Sequence, residues 1–402
     1  MNISSPESVG MSSDRLANIG LKFQSYVDNK NAPGFSTLVA RKGKVIHFET
    51  CGYRDAEKQL PVEKDTIFRI YSMTKPITSI ALMMLYEQGK FQLFEPVGKY
   101  IPEFKKTKVF NHMGYAGEEL VEQTPPMNIR HLLTHTSGLC YGWFKDSPVE
   151  EFYRSSNFNS PDNNLEEMVR GLAELPLRFQ PGSAWHYSLA TDVLGYLVQV
   201  IAGMPFEDFL EEKILAPLGM EDTSFCVPAS KMNRFAQLYY HNPDDGSFRT
   251  YQENDLLKPR DYSVRPKAPS GGGGLVSTTA DYYRFAQMLC NRGALGETRI
   301  VGRKTLEYMT INHLRPKLLP LSIGPIRLGG LGFGLGFSVV VDPAEAAVTC
   351  SLGNYGWRGV AATNFWVDPG EEIVGIIMTQ LMANTHPFSA DFRALTYQAL
   401  VD

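Results

Sequence analysis

The order of strand and helix patterns along the chain limits its fold more than any other feature. Strand patterns gather at the two ends, whereas residues 72 to about 255 carry helical patterns and long loops. Strands from the two ends can bury their apolar faces by joining one sheet. We therefore predict an α/β lobe with an antiparallel sheet from residues 1–71 and 256–402. A helical lobe, residues 72–255, is inserted between its two parts.

The ends of the chain carry helix and strand signals in a definite order. Cap candidates and apolar residues at helical spacing predict a helix over 12–29. The segments 34–40 and 45–52 flank R-K-G-K and predict a hairpin. A terminal helix is predicted from about 388 to 401. Four strand segments are predicted before it, at 334–342, 347–353, 362–368 and 373–379.

Helical patterns dominate the middle of the chain, and glycines punctuate their ends. A further helix is predicted after G-G-G-G (271–274), where Thr278 and Asp281 form a capping-box pattern. The helices predicted in the middle cover 72–88, 164–175, 190–203 and 205–214.

Size and charge exclude one large class of function. At 402 residues the chain can bury a sizeable core or two lobes around a cleft. Its formal net charge of −4 and pI near 6.1 give no bias toward polyanions, and no long basic run is present. We therefore expect no nucleic-acid partner.

The cysteines and the N-terminal sequence indicate the compartment. The five cysteines are widely spread and form no C-x-x-C, so neither a disulfide framework nor a zinc site is indicated. The N-terminus lacks a basic start followed by an apolar segment, and no apolar run reaches about 18 residues. We expect reduced thiols, no membrane segment and a cytoplasmic location.

A Ser-x-x-Lys pair opens the first helix of the predicted helical lobe. Ser72 is the only serine with a lysine three positions later, and on a helix these positions share one face. The helix is apolar on nearly all sides, so Lys75 is predicted to be buried and needs a partner or a task. Pro76 fits the first turn, where the helix dipole and free N–H groups favour an oxyanion. Ser72 and Lys75 are therefore a candidate nucleophile and base.

A Ser-Lys pair needs a second proton carrier for the leaving group. Tyr187 lies between a Pro-Gly turn and a predicted helix, although chemistry alone does not single it out among 19 tyrosines. The neighbouring His186 offers a Ser-His alternative, but the chain has no G-x-S-x-G elbow. In an extended segment His186 points away from Ser72 if Tyr187 points toward it. We therefore expect His186 to contribute little to catalysis.

Two weaker patterns complete the set of candidate chemical residues. His131 and His135 have the spacing H-x-x-x-H, which alone is a weak metal signal, and we expect them to be loop and capping residues. In the segment 352–366, Gly353, Gly356 and Gly359 let the backbone approach a neighbour closely. The strand that follows could present an N–H to a substrate oxygen, and the alternative is a hairpin turn.

These segments together resemble the serine β-lactamase-like superfamily, most closely the family VIII carboxylesterases, which are similar to class C β-lactamases and penicillin-binding proteins. The resemblance covers about residues 10–400. It implies an α+β, β-lactamase-like fold in which an antiparallel sheet is flanked by helices and a mostly helical lobe is inserted. The active site would lie in the cleft between the lobes. The matching phrases are Y-S-M-T-K, H-L-L-T-H-T-S-G-L, F-Q-P-G-S-A-W-H-Y-S, G-G-G-G-L-V-S-T-T-A-D-Y and G-W-R-G.

The same resemblance implies the roles of individual residues. Ser72 would be the nucleophile, Lys75 its activating partner and Tyr187 the third catalytic group. The backbone N–H groups of Ser72 and Val360 would form the oxyanion hole. Which of Lys75 and Tyr187 is the general base stays open at this point.

Two departures from the β-lactamase pattern favour an esterase. The segment 187–189 is Tyr-Ser-Leu where class C enzymes have Tyr-x-Asn, so the amide that holds a β-lactam side chain is missing. Trp357-Arg358-Gly359 replaces Lys-Thr-Gly, as Trp-x-Gly does in esterases of the family. An indole thus stands in place of an ammonium that would bind a carboxylate. Arg358 is only a partial substitute, since arginine and lysine are not interchangeable.

We therefore predict a serine carboxylesterase that hydrolyses short-chain, neutral esters through an acyl-enzyme, without metal or cofactor. The alternatives are a β-lactamase or D,D-peptidase, an acyltransferase to a small alcohol or amine, and an inactive binding relative. The sequence leaves the physiological ester and the oligomeric state open. The expected substrate-binding residues lie in or beside the matching segments and are mostly aromatic: Tyr141, Trp143, Phe144, Phe152, Trp185, Trp357, Arg358 and Gly359.

Overall fold

The two ends of the chain meet in one antiparallel sheet. The structure, a computed structural model, describes residues 1–111, 120–253, 255 and 260–402. The strands of this sheet are β1 (Gly34–Arg41), β2 (Lys44–Asp55), β3 (Leu60–Pro61), β4 (Leu331–Phe333), β5 (Ser338–Val340), β6 (Tyr355–Arg358), β7 (Asn364–Asp368) and β8 (Ile373–Met378). Their order is β4-β5-β6-β7-β8-β1-β2-β3, and neighbouring strands run antiparallel. Strand β8 pairs with β1, so segments from opposite ends of the chain are joined in one sheet.

Helices make up most of the remaining regular structure. They are α1 (Ser13–Asp28), α2 (Thr74–Glu87), α3 (Ile129–Leu133), α4 (Pro148–Ser155), α5 (Leu165–Ala173), α6 (Ala190–Ala202), α7 (Phe206–Leu210), α8 (Ala216–Leu218), α9 (Thr279–Cys290), α10 (Arg303–Met309), α11 (Pro343–Ala346) and α12 (Phe388–Tyr397). A π-helical turn, Glu211–Leu215, joins α7 to α8. Short strand pairs are Phe68–Arg69 with Val276–Ser277, Val109–Phe110 with Leu120–Val121, Ala294–Leu295 with Thr298–Arg299, and Leu321–Ile323 with Ile326–Leu328. Tyr239–His241 lies between Phe248–Thr250 and Leu381–Met382.

The predicted hairpin near the N-terminus is confirmed and shows why the sheet starts there. β1 and β2 are joined by Lys42 and Gly43, which both have positive φ, at 50° and 74°. Two successive residues with positive φ match the right-handed twist of paired strands, and glycine adopts that conformation without steric cost. The R-K-G-K segment therefore sets the register of the hairpin.

The sheet separates two apolar cores. Successive residues of a strand face opposite sides, and on β1 Val39 packs with α1 and α12 while Leu38 faces the larger core. The larger core also takes up apolar residues of α2, α6 and α9. The helix that carries the Ser-x-x-Lys pair is thus buried between the sheet side of the molecule and the other helices.

Most predicted helices are confirmed, and one cap differs in detail. Ser12 caps α1 by accepting the N–H of Arg15 at 3.3 Å. Thr278 likewise caps α9 by accepting the N–H of Asp281 at 3.1 Å. A capping box also requires the Asp281 carboxylate to accept the N–H of Thr278. That part of the prediction is wrong, because the carboxylate accepts the N–H of Asp222 at 2.7 Å instead. A tertiary contact thus replaces the local one.

One predicted strand is wrong. Residues 347–353 form a turn after the short helix α11 and no strand. Asp342 starts α11 by accepting the N–H groups of Ala344 and Glu345, and Pro343 suits its first position. The chain therefore turns where the apolar alternation predicted an extended segment. Strand β6 begins only at Tyr355, and β4 was not predicted.

Three further findings bear on the predicted lobe boundary, the membrane prediction and the state of the cysteines. The predicted lobe boundary at 255–256 falls beside residues 254 and 256–259, which lie outside the described residues. In the described ranges no single helix is long and apolar enough to span a membrane. Only the pair Ala190–Ala202 and Phe206–Leu218, bent by 83°, has the required length and composition together. All five cysteines of the sequence are described, and each is unpaired.

Candidate active site

Ser72 lies in a 3₁₀ turn, Tyr71–Met73, that leads directly into α2. Two hydrogen bonds to backbone carbonyls hold the turn in place. The N–H of Ile70 donates to Leu275 O at 3.2 Å, and Tyr282 donates its hydroxyl to Met73 O at 2.9 Å. Tyr71 has a φ of 43°, which is unusual for a residue with a side chain. Ser72 itself is half-buried, so its hydroxyl stands at the N-terminal end of a buried helix and is still accessible.

Lys75 is buried one turn further along, at 1% exposure, and its amine is surrounded by oxygen atoms. Its Nζ lies 3.3 Å from Ser72 Oγ, 2.7 Å from the Tyr141 hydroxyl and 2.6 Å from Gly272 O. An ammonium donates to all three oxygens. A neutral amine donates to Tyr141 and Gly272 and leaves its lone pair for the proton of Ser72. Both protonation states thus fit the same arrangement of partners.

The two tyrosines next to Lys75 form one network with Trp357. The ring centroids of Tyr141 and Tyr187 are 5.4 Å apart, and Nζ of Lys75 lies 4.7 Å from the Tyr187 centroid. The indole Nε1 of Trp357 donates to the Tyr187 hydroxyl at 3.2 Å. Burial, and then the nearby Tyr187 and Asp192, raise the pKa of Tyr141 well above its ordinary value. Tyr141 therefore stays a neutral phenol that can accept the N–H of Lys75.

Asp192 holds the glycine-rich segment against Lys75. This carboxylate, at 1% exposure, accepts the hydroxyl of Ser270 at 2.5 Å and the N–H of Gly272 at 3.1 Å. The carbonyl of Gly272 in turn accepts from Lys75. Burial raises the pKa of Asp192, and the charge of Lys75 and the donated hydrogen bonds oppose that rise. Asp192 thus orients a backbone carbonyl that positions the amine.

Strand β6 brings Trp357 and the following residues beside the Ser72 turn. A Cβ atom on Gly359 would lie 2.2 Å from Thr363 Oγ1 and 2.6 Å from Ile70 O, closer than real contacts allow. Thr363 also donates its hydroxyl to Ile70 O at 3.4 Å. Only glycine therefore lets the chain pass so near the residues that lead to Ser72. Val360, the predicted second oxyanion donor, follows directly.

We expect Gly359→Ala to displace this segment. The added methyl must push aside either the Thr363 side chain or the backbone of Ile70, and overpacking of this kind costs about 1–3 kcal/mol. The free energy of unfolding in urea should fall by that amount, and ester turnover should fall with it. Gly370→Ala is the matched control, because the nearest atom to its Cβ would be Asp368 Oδ1 at 3.4 Å. Equal stability of the two variants would contradict the prediction.

The three histidines singled out in the sequence, His131, His135 and His186, have structural roles. His131 completes a capping box with Asn128 at the start of α3, which confirms the expected capping role. His135 is buried in a loop, where its ring centroid lies 4.9 Å from that of Tyr187. Burial first, and then the charges of Lys75 and His186, hold the pKa of His135 well below its ordinary value, so the ring is neutral. His186 points to Glu150, at 2.8 Å from Oε1, which agrees with the predicted direction away from Ser72.

The predicted aromatic wall is only partly assembled around the pair. Tyr141 stacks on Trp143 at 3.8 Å, and Trp143 is 42% exposed at the rim. Trp185 lies parallel to Tyr187 at 6.4 Å between ring centroids. Phe152 is apart from this group, since in the described chain its ring contact is with Phe110 at 6.4 Å.

The remaining predicted substrate-binding residues differ in their exposure to solvent. Phe144 lies beside His186, the residue that precedes Tyr187. Phe144 packs its ring against His186, at 5.8 Å between centroids. Trp357 is 5% exposed and packs edge-on against Phe333 at 5.3 Å. Arg358 follows on the strand and is exposed. The buried indole thus faces the tyrosine, while Arg358 as a whole residue is exposed to solvent.

Several residues that shape the site were not found from the sequence. Tyr141 was expected only as a pocket wall, although its hydroxyl contacts Lys75 directly. Asp192 was not singled out, since it is one acidic residue in a predicted helix. The signal that could have found it is its position: a carboxylate inside a mostly apolar helix with no other charged residue, from Ala190 to Ala202, needs a buried partner.

One group of side chains has the composition of a metal site. Within the described ranges, ligand atoms of Cys140, Glu150 and His186 lie within 4.8 Å of one another. However, Glu150 already accepts the N–H of Gly142, and a guanidinium nitrogen of Arg178 lies 3.9 Å from its Oε1. A fixed positive charge at that distance disfavours a bound cation. We interpret the group as an internal hydrogen-bonded cluster.

A Ser-x-x-Lys pair that opens a buried helix beside an antiparallel sheet is the arrangement of β-lactamase-like serine hydrolases. This class of enzyme agrees with the fold described above. A sequence model of the family described as Beta-lactamase matches residues 21–400, and the chain belongs to that family. The predicted fold class and enzyme class are thereby confirmed.

Similar proteins extend over nearly the whole chain. Protein Rv1367c of Mycobacterium tuberculosis (strain ATCC 25618 / H37Rv) is 34% identical over 352 residues, 86% of this chain and 85% of that protein. Esterase EstB of Burkholderia gladioli is 32% identical over 377 residues, 90% of each chain. The solved structure of EstCE1, described as a hydrolase with promiscuous acyltransferase activity, superimposes with a TM-score of 0.80 at 26% identity and covers 98% of this chain and 99% of its own. The resemblance to esterases of this superfamily is confirmed.

Proposed function

We propose that this protein is a serine carboxylesterase that hydrolyses short-chain, neutral esters through an acyl-enzyme. The observation that carries the proposal is the 3.3 Å contact between Lys75 Nζ and Ser72 Oγ at the start of a buried helix. Nucleophile and base within hydrogen-bond reach are the signature of covalent catalysis. The esterase named among the similar proteins supports the choice of substrate class.

Acylation begins when Ser72 Oγ attacks the ester carbonyl carbon. Lys75, as a neutral amine, accepts the hydroxyl proton, while its two N–H groups stay on Tyr141 and Gly272. The carbonyl oxygen becomes an oxyanion, which the N–H groups of Ser72 and Val360 stabilise. The C–O bond to the leaving group then breaks, and Tyr187 protonates the departing alkoxide.

Deacylation runs the same steps in the reverse direction, with water as the attacking group in place of the alcohol that left. Water attacks the acyl carbon and gives a proton to the Tyr187 phenolate left by acylation, and the Lys75 ammonium returns its proton to Ser72 Oγ as the acyl C–O bond breaks. Trp357 holds the Tyr187 oxygen during both half-reactions by its indole N–H. Asp192 keeps Gly272 O in place, so the amine returns to the same position after each proton transfer.

The substrate is proposed to bind in a cleft between the sheet lobe, 1–71 and 256–402, and the helical lobe, 72–255. Rings of Tyr141, Trp143 and Trp185 lie near the reacting group, which suits an apolar acyl part. A short acyl chain fits best, since bulky rings leave little length for a long one. The unpaired thiols favour the proposed cytoplasmic location.

Acyl transfer to an alcohol is a second candidate, because EstCE1 is described as a hydrolase with promiscuous acyltransferase activity. The same residues would act, with an alcohol in place of the water that attacks the acyl-enzyme. Product analysis separates the two reactions, since transfer forms a new ester and hydrolysis forms the free acid. We expect the acid to dominate in water that contains millimolar alcohol.

Labelling with a fluorophosphonate tests the nucleophile. An active serine attacks the phosphorus and becomes covalently modified, whereas an unactivated serine does not react. We expect one label per chain, on the peptide that contains Ser72, by intact-mass and peptide mass spectrometry. Ser72→Ala should take up no label. Ser79→Ala, in the helix that follows, should label like the unmodified protein, since the Ser79 hydroxyl has no hydrogen-bond partner among the described residues. An unlabelled, folded protein would instead favour an inactive binding relative.

A further inference from the structure

Glu150, in the first turn of α4, is a carboxylate at 0% exposure outside the proposed catalytic group. Its Oε2 accepts the backbone N–H of Gly142 at 2.6 Å. Its Oε1 lies 2.8 Å from Nε2 of His186. One buried side chain therefore joins two segments that are distant in sequence.

Each joined residue is the neighbour of a tyrosine that contacts Lys75. Tyr141 precedes Gly142, and its hydroxyl accepts from Lys75 at 2.7 Å. Tyr187 follows His186, and its ring centroid lies 4.7 Å from the amine. The placement of both tyrosines relative to Lys75 thus depends on the same carboxylate.

The surroundings of Glu150 stabilise it as a hydrogen-bond acceptor. A buried carboxylate is costly unless it is paired and hydrogen-bonded. Arg178 supplies a nearby positive charge at 3.9 Å while it forms its main ion pair with Asp146 at 2.8 Å. Burial, and then the charge of Glu150, raise the pKa of Cys140, so the thiol stays protonated and adds no second negative charge beside the carboxylate. These contacts hold Glu150 in one orientation.

We propose that Glu150 is a positioning residue that fixes Tyr141 and Tyr187 against Lys75, an inference that rests on the proposed function. The side chain makes no described contact with Ser72 or Lys75, so it acts through the two backbone segments. A displacement of about 1 Å in a catalytic group can cost on the order of 10²-fold in rate. Loss of both hydrogen bonds should therefore lower turnover without abolishing it.

Glu150→Ala should lower ester kcat and the rate constant of fluorophosphonate inactivation together, by about 10- to 100-fold. KM should change less than kcat, because the hydroxyls that are displaced are proposed to act in the chemical step. Glu150→Gln should recover most of the activity, since its amide oxygen can accept from Gly142 and its amide N–H can donate to Nε2 of His186. Glu212→Ala is the control, as its carboxylate is exposed and pairs only with Lys213 among the described residues.

A double-mutant cycle distinguishes positioning from general destabilisation. Tyr141→Phe should cost less in the Glu150→Ala background than in the unmodified protein, because the hydroxyl is already displaced from Lys75. If Glu150→Ala does not fold, His186→Ala is the deciding variant. It removes the hydrogen bond between the carboxylate and one of the two joined segments. We expect it to lower kcat about three- to tenfold, far less than Ser72→Ala, and this indirect effect through Glu150 revises the sequence-based expectation that His186 contributes little.

Several outcomes would overturn the inference. These are a folded Glu150→Ala protein with unchanged kcat, a Glu150→Gln protein as impaired as Glu150→Ala, and an unaffected His186→Ala protein. Full additivity in the cycle would also contradict it. Failure of the unmodified protein to react with the fluorophosphonate would instead overturn the proposed function, so the two failures are distinguishable.

Discussion

Ser72→Ala, Lys75→Ala and Tyr187→Phe are each expected to lower ester kcat by about 10³-fold or more. Ser72→Ala removes the atom that is proposed to form the acyl-enzyme, and Lys75→Ala removes the proposed base, whose Nζ lies 3.3 Å from that atom. Tyr187→Phe removes the hydroxyl that Trp357 holds at 3.2 Å and that is proposed to protonate the leaving group. Steady-state rates with p-nitrophenyl butyrate measure the loss, and circular dichroism checks that each variant is folded.

The three losses should not multiply in double variants, because the residues act as one unit. Ser72→Ala combined with Lys75→Ala should therefore be no slower than Ser72→Ala alone. Matched controls are Ser79→Ala in the same helix and Tyr283→Phe, a buried tyrosine on α9. If Tyr187→Phe kept near-normal kcat, the role proposed for its hydroxyl would be wrong.

Short-range patterns carried much of what could be predicted. Ser72 lies in the 3₁₀ turn that leads directly into α2 and Lys75 in the first turn of α2, so their proximity follows from a spacing of three residues. Helix α1 and the hairpin of β1 and β2 likewise follow from local caps, turns and periodicity. Tyr187 is different, because its chemistry is common to all tyrosines and only resemblance to a family selected it.

Long-range contacts explain what the sequence did not reveal. Asp192, Gly272 and Lys75 come from three separate segments, and their hydrogen bonds arise only when α2 and α6 pack together. Glu150 and His186 are likewise separated, by 36 residues in sequence. A buried carboxylate has no local signature beyond its apolar neighbours, so neither acid could be assigned a partner in advance.

The wrong strand at 347–353 has a comparable cause. Its alternating pattern is compatible with an extended segment, but Asp342 and Pro343 start a helical turn immediately before it. The pairing edge of β5 is instead taken by β6, through Tyr355 and Gly356. Local capping thus decided where the chain turned, and the register of the sheet decided which residues became the strand that carries Trp357.

The preference for esters over β-lactams is the second large effect that we expect. A β-lactam carries a carboxylate, and the indole of Trp357 cannot pair with it. Its N–H is moreover already donated to Tyr187. Losing one charge-assisted contact costs about 1.5–3 kcal/mol, which is roughly 10- to 150-fold in kcat/KM. We therefore expect kcat/KM for p-nitrophenyl acetate or butyrate to exceed that for nitrocefin by at least this factor.

Arg358 supplies the internal control for this comparison. Arg358 is an exposed residue that follows Trp357 directly, and its guanidinium is the charged group of the Trp-Arg-Gly motif. If it binds a β-lactam carboxylate in part, Arg358→Ala should reduce any weak nitrocefin turnover and leave the neutral esters within about threefold, since they have no carboxylate for a charge-assisted hydrogen bond. Measuring both substrates on both proteins separates a charge effect from general damage to the site. Comparable or higher efficiency on nitrocefin or penicillin G than on the esters would overturn the esterase assignment, because it would mean that a carboxylate is recognised without the ammonium that the motif lacks.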